Sequence, residues 1–578
     1  RYDGVTPTLK ADGSLSIVTS VNELTESAPY TYQIIDGKKV EVASKYVIKE
    51  NVLSFEFPNG YDANKELIID PDLVFATYSG ATGAAMYAFA TTYDESSSLY
   101  AGAEAYGTGL PVTTGAYQTF FAGPNDVGIN KYNPLGTGLV YSTYIGGTNT
   151  EWPYSMRVNS LGELVVVGYT TSTNFPITTG AFQNTHAGSS DFFITRFSSD
   201  GSQLMGSTFL GTAGPDTYCW TNNTITANNW NQNIQSPIEL NFDANNNIWV
   251  VGATNSIAWP VSSNAFQLNH SGGNLDGFVL SYSPNLSTVN YGTFLGGNGD
   301  DIVTGIEFDK DGNIYLSGAT NSTNFVTTQG AFQTQNQGGF DAFVARLNPT
   351  SGLIEASTYV GTTGSDGGTR LQVDRTGDIY LLGTTNGTYT ISTNAYSINA
   401  GSGSSKIFVQ KLNHALTTGI VSSQFAFTGI YASAFVVDVC KNVYICGLNN
   451  GAFSTQNSNF YFFALDGNLS QLIFGSYFGT TDDHTHTGIN RLDPKGVVYH
   501  SVCSATLTWS NYTHPLNVFG KTKQNQGQDI ISFKFNFDKA GVSSDFEPNR
   551  LLNPSDSGCA PFTVNFGNNS TQAVSYFW

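Results

Sequence analysis

The sequence predicts an all-β protein whose main body is a seven-bladed β-propeller, preceded by a small β-domain and followed by the start of a further β-domain. Three observations lead there. A short stretch recurs as Ser142-Thr143-Tyr144-Ile145-Gly146, Ser207-Thr208-Phe209-Leu210-Gly211, Gly292-Thr293-Phe294-Leu295-Gly296 and Ser357-Thr358-Tyr359-Val360-Gly361. Weaker copies stand at Ala76–Gly80 and Gly475–Gly479, and the central threonines Thr77, Thr143, Thr208, Thr293 and Thr358 are spaced by 66, 65, 85 and 65. Other markers keep the same period: Gly168, Gly318 and Gly383; the pairs Ala181-Phe182 and Ala331-Phe332; and Asp126, Asp191, Asp276, Asp341 and Asp529. The third observation is composition. Charged residues are only 12%, aromatics are 13%, and 62 glycines break the chain into short segments, which suits strands and turns better than helices.

In chain order, residues 1–72 carry no repeat. Ser14–Val18, Tyr32–Ile34 and Val52–Phe57 alternate apolar and polar, punctuated by Asp12-Gly13, Asp36-Gly37 and Asn59-Gly60, so a small antiparallel domain is expected. One repeat is clearest at 303–361: strands at Gly305–Phe308, Ile314–Gly318 and Asp341–Leu347, then a fourth into Ser357–Val360. Second strands near Tyr100, Val166, Val250, Tyr315, Tyr380, Tyr444 and Tyr499 count seven blades. The last unit lacks a fourth strand, while Leu73–Ser79 precedes any blade it could complete. Pairing the two closes the ring over 73–541 and removes an open edge. A Pro/Ser/Gly linker at 542–557 follows, then a new strand pattern over 558–578.

The formal charge of −20 without a Lys/Arg cluster excludes a nucleic-acid footprint and attraction to anionic lipid. No apolar run is long enough for a membrane span. Five cysteines without a CxxC pair disfavour zinc. Cys440 and Cys503 in adjacent blades suit a disulfide, and Cys446 as a buried thiol is the alternative.

Asn174-Phe175-Pro176, Gly180-Ala181-Phe182-Gln183, the Asp-x-Phe element and Tyr141–Gly147 resemble the SBBP-type β-propeller repeat of bacterial surface proteins. Gly558–Phe566 with Phe577-Trp578 resembles the start of a PKD domain, which implies an incomplete immunoglobulin-like module at the C-terminal end. The domain order is similar to that of large surface proteins of gliding Bacteroidota exported by the type 9 secretion system. The resemblance implies an extracellular, outer-membrane-associated location and a non-catalytic adhesion or scaffolding role. It also implies a surface polysaccharide, a protein or an outer-membrane β-barrel of the export machinery as partner.

Candidate sites come from departures from the period. The 85-residue step adds about 20 residues near 212–236, where Tyr218, Trp220 and Trp230 stand among Asn and Thr, a composition able to stack on and hydrogen-bond a sugar. An acid five residues after the repeat glycine recurs as Glu151, Asp216, Asp301 and Asp366. Converging carboxylates bind Ca²⁺, whereas the bland role for each is to cap a turn. Asp482-Asp483-His484-Thr485-His486 is the densest group of metal-ligand types, with Asp483, His484 and His486 as candidates. Asp309–Asn313 opens like an EF-hand loop, but position twelve is Thr320 and not Glu, so it reads as a turn. No nucleophile, zincin, Walker or dinucleotide motif is present, so the expected class is a binding protein. The alternatives are a structural subunit of an export or gliding assembly and a carbohydrate-active enzyme. The long connections, between strands two and three and from strand four to the next blade, are expected to share one face and to carry function.

Overall fold

The structure is a computed structural model. It describes residues from 7 to 536, without 214–237, 399–405, 427–430, 439–440, 449–459, 479–489, 494–496, 505–517, 521–522, 524–527 and a few positions before 85. The PKD-like segment and Cys440 therefore lie outside the described residues. At the N-terminus, Pro7–Leu9, Leu15–Val18 and Glu23–Glu26 form one antiparallel sheet, Lys38–Glu41, Tyr30–Ile35 and Ile68–Asp70 a second, and Lys45–Lys49 with Val52–Glu56 a hairpin.

The rest is a seven-bladed β-propeller: seven four-stranded sheets, six of them antiparallel in simple sequence order. Their first strands are Met86–Tyr93, Glu151–Val158, Ile238–Phe242, Asp301–Phe308, Asp366–Val373, Tyr431–Val437 and Arg491–Leu492. Each packs on the first strand of the next sheet, and the seventh packs on the first, so these strands form the inner wall of a ring. Apolar clusters fill the space between neighbouring sheets. Ile194 and Leu210 of the second meet Ile238 and Phe278 of the third. Met86 and Ala103 of the first meet Cys503 and Ile530 of the seventh. Cys446 is also buried, and the Cys503 sulfur accepts the Ala88 amide at 3.0 Å.

The repeated residues form one hydrogen-bonded unit. In the fourth sheet the Gln333 amide donates to Thr358 Oγ1 at 2.9 Å, and its side-chain Nε2 donates to Asp341 Oδ2 at 2.7 Å. Its Oε1 accepts the Gly361 N–H at 2.9 Å. Gln118, Gln183 and Gln267 do the same with their own Thr, Asp and Gly. The connection from strand two to strand three thus runs along the outer edge of strand four. Thr328 N bonds Ser357 O, and Tyr359 N bonds Gln333 O, each at 3.1 Å. It covers an edge that would otherwise template association. This corrects the expectation that the whole connection lies on the long-loop face: its middle is a strap on the blade's side.

The Ala-aromatic pair ends that strap by gripping the next blade. Phe182 N bonds Leu286 O and Phe332 N bonds Leu416 O, each at 2.9 Å, in the hairpin between strands three and four. The second-strand glycine is needed for a third contact. A Cβ on Gly318 would lie 1.9 Å from the Ile302 carbonyl and 2.7 Å from the Phe343 ring. That ring packs on Phe325 of the strap at 4.4 Å between centroids. The EF-hand-like segment is a turn: Asp309 Oδ1 takes the amides of Asp311 and Asn313, each at 2.9 Å, and Gly312 has φ +81°.

The seventh sheet takes its fourth strand, Asp72–Tyr78, from the start of the propeller. The same unit closes there with altered parts. Gly520 N donates to Thr77 Oγ1 at 2.8 Å, and Ser79 Oγ bonds Asp529 Oδ1 in place of the missing glutamine. Phe519 N grips Gly136 O of the first blade at 2.9 Å. Val518-Phe519 is thus the seventh strap's aromatic pair, missed in the sequence because Ala and Gln are replaced by Val and Gly. Thr77→Val and Thr208→Val each strand one buried amide at nearly constant volume. Each is expected to cost about 1–3 kcal/mol, read from urea unfolding midpoints, and the Thr77 variant is expected to cost as much as the Thr208 one because both ends of the ring use the same contact.

Candidate functional site

Tyr218, Trp220, Trp230, Asp216, Asp483, His484 and His486 lie outside the described residues. Glu151, Asp301 and Asp366 open their inner strands and are fully buried. Each caps the loop before it: Glu151 Oε2 takes Gly147 N at 2.9 Å, Asp301 Oδ2 takes Gly297 N at 2.7 Å, and Asp366 Oδ2 takes Thr362 N at 2.6 Å. The acids do not gather at a common mouth. Each instead faces the aspartate that opens the third strand of the preceding blade. A Cβ on Gly296 would lie 2.7 Å from Asp276 Oδ1 and 2.9 Å from Asp301 Oδ2, and one on Gly146 would lie 2.5 Å from Asp126 Oδ1 and 2.6 Å from Glu151 Oε2. The repeat glycine is the residue two carboxylates crowd. Among the described residues no three His, Cys, Asp or Glu side chains come together as a metal-binding group.

These pairs are protonated more readily than ordinary carboxyls. Burial, reinforced by Asp276, pushes Asp301 up to about 7, and burial with Asp366 does the same for Asp341. Burial pushes Asp529 up to about 7 as well. An aspartate in the unfolded chain titrates near 3.8. The folded state therefore holds protons that the unfolded state has released. Their contribution to stability is complete below pH 3.8 and is lost as pH rises through about 7. The melting temperature is expected to fall from pH 5 to pH 8, and Asp301→Asn is expected to flatten that slope, as read by calorimetry across the range.

The second cluster lines the central channel, and it was not singled out in the sequence. A cavity of about 170 Å³ is walled by residues of all seven inner strands, among them Tyr93, Arg157, Glu239, Glu307, Arg370 and Arg491. Arg157, Asn241, Glu307 and Gln372 occupy one register position, two residues before the short turn, so the cavity lies at the short-turn end. Ion pairs cross the axis. Arg157 Nη2 meets Glu307 Oε1 at 3.0 Å, between the second and fourth blades, and Arg491 Nη2 meets Glu239 Oε1 at 2.6 Å, between the seventh and third. Asn241 Nδ2 and Gln372 Nε2 add bonds to Glu307 at 3.0 and 3.1 Å. Burial opposes the charge on Glu239, but the Arg491, Arg157 and Arg370 guanidiniums outweigh it and hold the carboxyl at about 2. The available signal was the polar-apolar alternation Ser155-Met156-Arg157, Glu239-Leu240-Asn241 and Arg370-Leu371-Gln372 in a chain otherwise poor in charge. Arg491→Met leaves Glu239 buried without its closest cation. It is expected to cost about 3–5 kcal/mol, read from denaturant unfolding.

Comparison with known proteins places residues 290–325 in a β-propeller repeat model, SBBP, and residues 1–72 in a domain of unknown function, DUF7948. No curated protein matches. Among solved structures, the polysaccharide lyase Uly1 is similar over 81% of this chain and 100% of its own, at 10% identity and a TM-score of 0.42. A protein of unknown function from Dyadobacter fermentans is similar over 80% of this chain and 99% of its own, at 11% identity and a TM-score of 0.34. BamB from Moraxella catarrhalis is similar over 85% of this chain and 93% of its own, at 8% identity and a TM-score of 0.34. Among the described residues no helix is long and apolar enough to cross a membrane.

Proposed function

We propose that this chain is a non-catalytic, cell-surface binding propeller that takes a polysaccharide or a partner protein on its long-loop side. The observation that carries the reading is a set of bare apolar side chains there. Tyr106 and Phe120 of the first blade are 47% and 65% exposed, and Ile257 and Leu268 of the third are 84% and 54% exposed. They stand beside Gly107-Thr108-Gly109, Asn255-Ser256 and Asn269, a mixture of ring or alkyl faces with amide and hydroxyl groups that suits a sugar or a polar protein surface. The inserted stretch with Tyr218, Trp220 and Trp230 belongs in sequence to the connection from strand four of the second blade to strand one of the third. The polar residues of the repeat are engaged within and between blades, and the channel arginines Arg157 and Arg491 are paired with Glu307 and Glu239. Recognition then falls to the loops. The net charge of −20 and the likeness to exported repeat proteins favour a neutral or basic partner outside the cell, with an outer-membrane barrel of the export machinery as a docking partner.

The test is a glycan array and a pull-down from surface extracts, both run with calcium and again with a chelator. A saturable ligand is expected, and Phe120→Ser with Ile257→Ser is expected to weaken it at least tenfold while leaving the melting temperature unchanged. Full binding by that double variant would overturn the assignment to this side. Release of reducing ends from a bound polysaccharide would replace the reading with a catalytic one.

A further inference from the structure

We propose that the cavity at the short-turn end of the central channel binds a small oxyanion (a carboxylate, sulfate or phosphate) on the guanidinium of Arg370. This site is separate from the loop surface above. The argument begins with the inner strand Asp366–Val373, whose register with its neighbour shifts between Gly368 and Arg370. A bulge of this kind re-aims the side chain that follows it, and Arg370 lines the cavity.

Its surroundings leave it both unpaired and with room. Arg370 stands opposite Leu382, and the same register position is Gly305 in the blade before it and Ala434 in the blade after it. A hydrogen and a methyl group flank it where larger side chains would fill the space. Among the described residues no carboxylate lies within ion-pair distance of Arg370, in contrast to Arg157 and Arg491. Its Nη1 donates to the neighbouring Thr369 carbonyl at 2.6 Å, and its buried Nε has no partner.

The carboxylates on the channel wall are committed elsewhere. Glu307 Oε1 takes Arg157 and Gln372, and its Oε2 takes Asn241. Glu239 Oε1 takes Arg491 and Ser155. The acceptor left over is Glu239 Oε2, two blades from Arg370. Burial lowers Arg370 to about 10; Glu239 opposes that and the facing Arg491 and Arg157 add to it, so the guanidinium is short of negative charge. The cavity of about 170 Å³ has room for a tetrahedral or carboxylate anion together with water. A planar fork of N–H donors is the usual means of holding such an anion.

The test uses the whole chain. Sodium phosphate, sulfate and acetate are titrated calorimetrically at constant ionic strength against chloride, with wild type and Arg370→Met. One saturable site is expected in the wild type, weakened at least tenfold in the variant, and the preferred anion separates tetrahedral from planar ligands. Arg370→Met removes a half-buried cation that has no ion-pair partner among the described residues, so in chloride alone it is expected to melt no lower than the wild type. No saturable site in the wild type means that the cavity holds water only and overturns the proposal. An undiminished site in the variant places the anion elsewhere and overturns it as well. Selenate soaked into wild-type crystals reads the position directly, even if the variant fails to fold: anomalous density against Arg370 supports the site, and its absence there rejects it.

Discussion

One carboxamide side chain holds each of the first four blades together. Gln183 or Gln333 gives its amide to the threonine of strand four, its Nε2 to the aspartate of strand three, and its Oε1 to the glycine that ends the blade. Donor and acceptor ends of one planar group are both used, so neither Glu nor Leu can replace it. The strap it anchors covers the outer edge of the sheet and carries the aromatic that grips the next blade. A sheet with an open edge becomes a closed module, and the modules become a ring.

The scarcity of charge follows from the same design. With many polar needs of the repeat met by Gln, Thr, Ser, Asn and backbone, two buried places still hold ionisable groups. At the blade junctions, pairs such as Asp276 and Asp301 crowd a glycine. At the hub, Arg157, Glu307, Arg491 and Glu239 tie blades that are not neighbours in the ring. Pairs of this kind are costly to bury and more costly to break singly.

Much of the architecture was legible because periodicity detects what every blade must repeat, and the repeated residues are those of the hydrogen-bonded unit. The seven sheets could be counted from their second strands, whose spacing the Thr, Gly, Asp and Ala-aromatic markers repeat. The seventh strap could not, because Val518-Phe519-Gly520 keeps only the aromatic. The hub was invisible for the opposite reason. Arg157, Asn241, Glu307 and Gln372 share a register position but are chemically different, since partners meeting across an axis must be unlike. The junction acids were seen, but their partners were not: Asp276 and Asp301 stand 25 apart in sequence, and each reads as a marker of its own strand.

The strap also decides where the chain is free to change. Strand four of the second blade is fastened by Gln183 and Thr178, and strand one of the third by its pairing with Ile248–Thr254, so both ends of the stretch joining Leu210 to Ile238 are anchored in their own blades. Lengthening such a tether costs only about 0.6 kcal/mol per doubling, which a ring of this size absorbs. That span is a natural grafting point. Descendants of one scaffold can acquire new specificity there by insertion and selection, without renegotiating the contacts that keep the ring shut.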